Sequence, residues 1–187
     1  YTALGATSVS VTMLLAVGVV MSWSTGREFI DGTVVGLFAI PSRLGIIAAA
    51  KMAVVLTWAT ILGAVEAGAL TTAGLLLGLG PEGAAGCCTT LMLVAALLGA
   101  SVLPVMWAAT RWRGYLAGIG LTLAILVGAN LAAGFGLGPY IPWSIPMVWA
   151  AHHTEVSTPL LAVPVMTAAI GARITYRSWD RLQLGAD

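Results

Sequence analysis

The sequence predicts an all-α fold, a polytopic bundle of transmembrane helices with about five spans. Three observations carry this prediction. Hydrophobic residues fill 59% of the 187 positions and charged residues only 8%, against about 25% charged in ordinary soluble domains, and the mean hydropathy is +1.00. The charges are bunched, leaving uncharged runs long enough for the roughly 20 residues that cross a bilayer as a helix. All eight Lys and Arg residues fall in three groups, at 27–51, 111–113 and 173–181, while the alternate connections hold only Glu82 and Glu155. The positive-inside rule puts those three groups, and with them the carboxy terminus, in the cytoplasm, and Tyr1 outside. A net charge of +1 without a basic, aromatic-interleaved patch excludes nucleic acid as a partner.

In chain order, Thr2 to Met21 is uncharged and forms the first span, with Trp23 as an interfacial anchor. The stretch from Ser24 to Lys51 is polar and holds Arg27, Glu28, Asp31, Arg43 and Lys51. Thr25 and Glu28 have the T-x-x-E spacing of a capping box, which predicts a short helix starting there. Ile30, Val34, Leu37 and Phe38 recur at helical spacing and give that helix an apolar stripe for a membrane surface. Asp31-Gly32 predicts an elbow within it, and Pro41 ends it before Arg43 opens the next helix.

From Met52 the apolar run continues past Glu66 to Pro81-Glu82. It reads as one long or tilted span, because each half alone is too short to cross. Gly83 to Thr110 is a third span containing Pro104, closed by Arg111-Trp112-Arg113. A fourth runs from Gly114 to about Gly138. Residues 138–158 carry three prolines and two tryptophans, which suits an extracytoplasmic loop or a re-entrant segment covered by protein. Val156 to Ala172 is the fifth span, followed by Arg173, Arg177 and Arg181. The whole is read as one membrane domain.

The polar stretch also resembles a known family. Arg27-Glu28-Phe29, Asp31-Gly32-Thr33, Leu37, Pro41-Ser42-Arg43 and Lys51 are similar to the cytoplasmic loop of type-2 permeases of the ATP-binding-cassette (ABC) transporter superfamily. The close match covers about 25 residues; beyond it only the pattern of spans agrees. In that family the loop between the second and third spans carries a coupling helix that docks on an ATPase subunit. The resemblance implies an ABC exporter permease that works as a dimer with a second, identical or homologous permease copy in the plasma membrane. It implies ATP and Mg on the partner ATPase and no cofactor on this chain. It assigns coupling to residues 24–43, with Arg27, Glu28, Asp31 and Arg43 as polar contacts and Ile30, Val34 and Phe38 packing into the ATPase. It further implies one span upstream of Tyr1, making six in the full chain.

Other residues bear on function. Glu66 is an ionisable group at membrane depth, where such groups face a bundle interior or a water-filled path. Asn130 lies at a similar depth, so the two are candidates to meet across the bundle or a dimer interface and to line the substrate path. His152, His153 and Glu155 have metal-ligand chemistry but lack a nearby further ligand, so a solvated outer loop is the expectation. Adjacent Cys87 and Cys88 read as small apolar residues of a span rather than a disulfide. Gly114-x-x-x-Gly118 is a small-xxx-small match among 23 glycines. There is no Walker-type glycine loop, so ATP is bound elsewhere and the chain is not itself expected to be an enzyme. Two alternatives stay open: an intramembrane hydrolase using Glu66 with His152 and His153, and a non-transporting membrane partner of an ATPase.

Overall fold

The computed structural model describes residues 1–151 and 156–182. Their regular structure is helical throughout: α1 (Thr2–Ile30), α2 (Val34–Leu37), α3 (Leu44–Leu76), α4 (Pro81–Ser101), α5 (Pro104–Arg111), α6 (Tyr115–Gly134), α7 (Ile145–Ala151) and α8 (Ala162–Asp180). Single 3-10 turns cover Gly138–Tyr140 and Thr158–Leu161. Five helical stretches are long and apolar enough to cross a membrane, with α4 and α5 together making one of them.

The bundle is built around α1. It packs on α3, α4, α5, α6 and α7, and its Val9, Met13, Leu14, Val17 and Met21 are fully buried. The predicted long second span is the single unbroken helix α3, 33 residues long. At 1.5 Å per residue it measures about 50 Å, well beyond a hydrocarbon layer of about 30 Å, so it projects from the membrane.

The α1–α6 seam is made by small residues four apart. A Cβ added at Gly18 would lie 2.4 Å from Thr122, at Gly118 2.8 Å from the Ser22 Cβ, and at Gly26 2.2 Å from the Tyr115 backbone nitrogen. Gly18, Ser22 and Gly26 thus interdigitate with Gly114, Gly118 and Thr122, which lets two backbones approach as membrane helices without large side chains do. Gly114-x-x-x-Gly118 is one half of this seam.

Proline explains the break between α4 and α5. Pro104 has no N–H to donate, and the chain bridges the break with Val105 and Met106 bonded to Val102 and Leu103 three residues back. That shift frees the Ser101 carbonyl, which accepts from the Trp143 indole at 2.9 Å. Gly171 of α8 sits against Pro104, where an added Cβ would meet the ring at 2.6 Å. Within 138–158, α7 packs on α1 and α4 and buries Ile145, Pro146, Met147 and Val148.

One expectation fails. The chain does not leave the first span near Met21 and restart at a capping box. Instead α1 runs unbroken to Ile30. Thr25 is buried inside it, its hydroxyl without a partner, and caps nothing. Polar side chains around this point are absorbed by the helix itself, since the Ser22 hydroxyl donates to Gly18 O at 2.6 Å and Ser24 to Met21 O at 3.1 Å.

Candidate functional site

All eight basic residues gather at one end of the bundle, around the C-terminal ends of α1, α5 and α8 and the start of α3. There the Trp179 indole donates to the Thr110 hydroxyl at 2.8 Å and meets Phe29 edge-on at 6.2 Å, tying α8 to α5 and α1. The loop between α1 and α3 stands on this base.

The loop turns at the predicted Asp31-Gly32 elbow. Gly32 has φ +68°, a conformation that side chains rarely adopt. A single turn, α2, follows, then Ile40-Pro41-Ser42, and extended Arg43 leads into α3. The helix expected across this region is therefore only four residues long, because Gly32 and Pro41 limit it on both sides.

Glu28 organises the loop. Its Oε1 accepts from the Lys51 ammonium at 2.7 Å and its Oε2 from the Thr33 hydroxyl at 2.6 Å. Lys51 also donates to Ser24 O at 2.8 Å. One carboxylate thus joins the end of α1, the loop and the second turn of α3. Arg27 and Asp31 lie on the exposed side, 4.0 Å apart, and the Arg27 guanidinium stacks 4.6 Å over Trp23. Both of these side chains, and Arg43, are open to solvent.

The loop presents an apolar face outward. Ile30 is 53% exposed, Val35 57%, Phe38 36% and Ile40 47%. Of the apolar residues expected to dock, Ile30 and Phe38 are on this face, whereas Val34 is half-buried; Leu37, the other residue of the predicted stripe, packs against the core. Val35 and Ile40 were missed. The stripe read from helical spacing passes them over, because it assumes a longer helix than the single turn of α2.

Glu66 and Asn130 are not brought together. Glu66 of α3 faces Thr12 of α1, and its Oε2 is buried without a hydrogen-bond partner. Asn130 spends its amide on its own helix, donating to Leu126 O at 2.8 Å. Among the described residues, no group of three His, Cys, Asp or Glu side chains could hold a metal; His152, His153 and Glu155 lie outside them.

A family model described as "ABC-2 family transporter protein" matches residues 2–129, from the start of α1 to near the end of α6, with the whole loop inside. The chain belongs to the ABC-2 transporter family. No curated protein and no solved structure matches it. As a member of that family it is a membrane permease subunit of an ABC transporter, and membership implies an ABC ATPase subunit as partner.

Proposed function

We propose that this permease is the membrane part of an ATP-driven exporter and that the 31–43 loop is where a separate ATPase subunit engages it. The observation that carries the reading is the exposed apolar face of Val35, Phe38 and Ile40, flanked by the charges of Arg27, Asp31 and Arg43, on a loop anchored to both helices by Glu28, Lys51 and Thr33. A docking surface has this composition, with apolar anchors at the centre and charges at the rim.

In this reading the basic end faces the cytoplasm of a plasma-membrane protein, ATP and Mg are held by the partner, and two permease copies form the pathway. Closure of the ATPase pair pushes on α2. The Glu28–Lys51 bond passes that displacement to α1 and α3 together, so the loop does not simply fold against the membrane. ATP must favour one arrangement of the helices over the other, since a ligand without differential affinity shifts no equilibrium. Export is the direction that the resemblance of the loop to type-2 permeases implies.

The test is to co-express the full protein with the ATPase encoded beside it, purify on a tag on the permease, and assay ATP hydrolysis in lipid. The expected result is co-purification that is lost in an Asp31→Arg, Phe38→Asp variant. Unchanged binding and hydrolysis in that variant would remove the loop from the interface.

A further inference from the structure

Beside the Trp179–Thr110 bond, α5 and α8 flank an open cavity of about 430 Å³ at the charged end. Arg111, Arg113, Arg177 and Arg181 line it, and among the described residues no acidic side chain does. Arg111, Arg177 and Arg181 make no ion pair among the described residues. The C-terminal carbonyls of α5 and α8 favour cations there, yet they do not supply a counter-charge equal to these three arginines.

The cavity does not end in polar surface. Its inner wall is Trp107 and Ile174, and these same two side chains begin an apolar groove of about 150 Å³ continued by Pro104, Trp143, Ile170 and Gly171. Ile170 is one turn before Ile174 on α8, and Pro104 one turn before Trp107 on α5. The groove therefore runs one helical turn, about 5 Å, away from the charged end and into the depth of the bundle's outer surface.

We propose that this is a binding site for an anionic phospholipid, with its phosphate between Arg111, Arg177 and Arg181 and an acyl chain lying over Trp107 and Ile170 between α5 and α8. The charge is complementary, because guanidinium forks bind phosphate in two-point fashion and, among the described residues, no carboxylate, Asp180 included, is in ion-pair contact with these three arginines. The apolar continuation selects hydrocarbon over a soluble anion. It also disfavours an acidic patch of the ATPase, which would leave the groove empty. Arg111, Arg177 and Arg181 further select a headgroup with net negative charge over a zwitterionic one, whose cationic end they repel.

The experiment is a lipid titration of the purified full-length protein in detergent, read by native mass spectrometry, with phosphatidylglycerol and phosphatidylcholine of matched chains. Phosphatidylglycerol should bind more tightly, and Arg177→Gln with Arg181→Gln should weaken it by about thirtyfold and abolish the preference. Arg27→Gln with Arg43→Gln, which removes the same charge elsewhere at this end, should leave lipid binding unchanged. Ile170→Trp keeps every arginine and fills the groove from an exposed position; it should weaken phosphatidylglycerol binding on its own. Equal binding of the two lipids, or equal losses from the two arginine pairs, would overturn the proposal. So would displacement of the lipid by millimolar inorganic phosphate together with an Ile170→Trp variant that binds normally, which would leave only an anion site.

Discussion

The Lys51 ammonium lies 2.7 Å from the Glu28 carboxylate and 2.8 Å from the Ser24 carbonyl, so one side chain of α3 holds the last two turns of α1. Both partners are largely shielded, their side chains 21% and 16% exposed. A bond in that setting is worth more than a surface ion pair, and a double-mutant cycle with Lys51→Ala and Glu28→Gln should give a coupling of about 1 kcal/mol in detergent unfolding. Amide exchange across 31–43 should quicken in either single variant. If the loop exchanged at the same rate in Lys51→Ala, the clamp would not be what orders it.

The outward apolar residues make a separate prediction. Val35→Ser with Phe38→Ser changes only exposed side chains, so unfolding should move by no more than about 0.5 kcal/mol. Capture of the ATPase should nevertheless fall sharply. Leu37→Ser should behave in the opposite way and lower stability, because Leu37 packs against the core. A pull-down and a melting curve on the same preparations separate the two effects.

How far the sequence revealed this arrangement depends on the range of the physics. The spans were legible because a charge is expensive in hydrocarbon, so uncharged runs bounded by Arg111, Arg113 and Arg173 could mean little else. Asp31-Gly32 and Pro41 gave the limits of the loop through purely local backbone rules. The exit from α1 was misread because Ser22 and Ser24 return their hydroxyls to their own helix, which nothing in composition distinguishes from exposure. Gly114 and Gly118 were legible as a small-residue match, but the other half of their seam was not, for another reason. Their partners, Gly18, Ser22 and Gly26, lie nearly a hundred residues earlier, and pairing at that separation is a tertiary fact. The same holds for Glu28, which looked like a cap and is instead a ligand for a lysine one helix away.

That seam can be tested residue by residue. Gly26→Ala would put a methyl 2.2 Å from the Tyr115 nitrogen, a backbone atom that cannot rotate aside. The loss should reach about 3 kcal/mol, the upper range for overpacking. Gly120→Ala is the matching control on α6, since nothing lies within 4 Å of its added Cβ and alanine is the better helix former. Its melting temperature should equal or exceed that of the parent protein.

The kink at Pro104 predicts a role for Trp143. Its indole satisfies the carbonyl that the kink frees, so Trp143→Phe should keep the packing and lose the bond. An unsatisfied carbonyl in this part-buried place should lower stability by about 1–3 kcal/mol. Pro104→Ala with Trp143→Phe should recover part of that loss, because a straightened helix reclaims the carbonyl. Purely additive losses in the double variant would show that the indole bond and the kink are independent.

Glu66 separates stability from transport. It faces Thr12 across the α1–α3 contact, and even a full hydrogen bond between membrane helices is worth only about 0.6 kcal/mol on average. Glu66→Leu should therefore fold with a change of about 1 kcal/mol or less, since Thr12 can return its hydroxyl to its own helix and the buried, unpartnered Oε2 is removed. If the carboxylate serves the substrate path, transport should fall in that variant despite normal folding, and Glu66→Gln should restore less of it than of the helix contact. Equal transport by all three proteins, measured in vesicles at matched permease content, would reduce Glu66 to a tie between two helices.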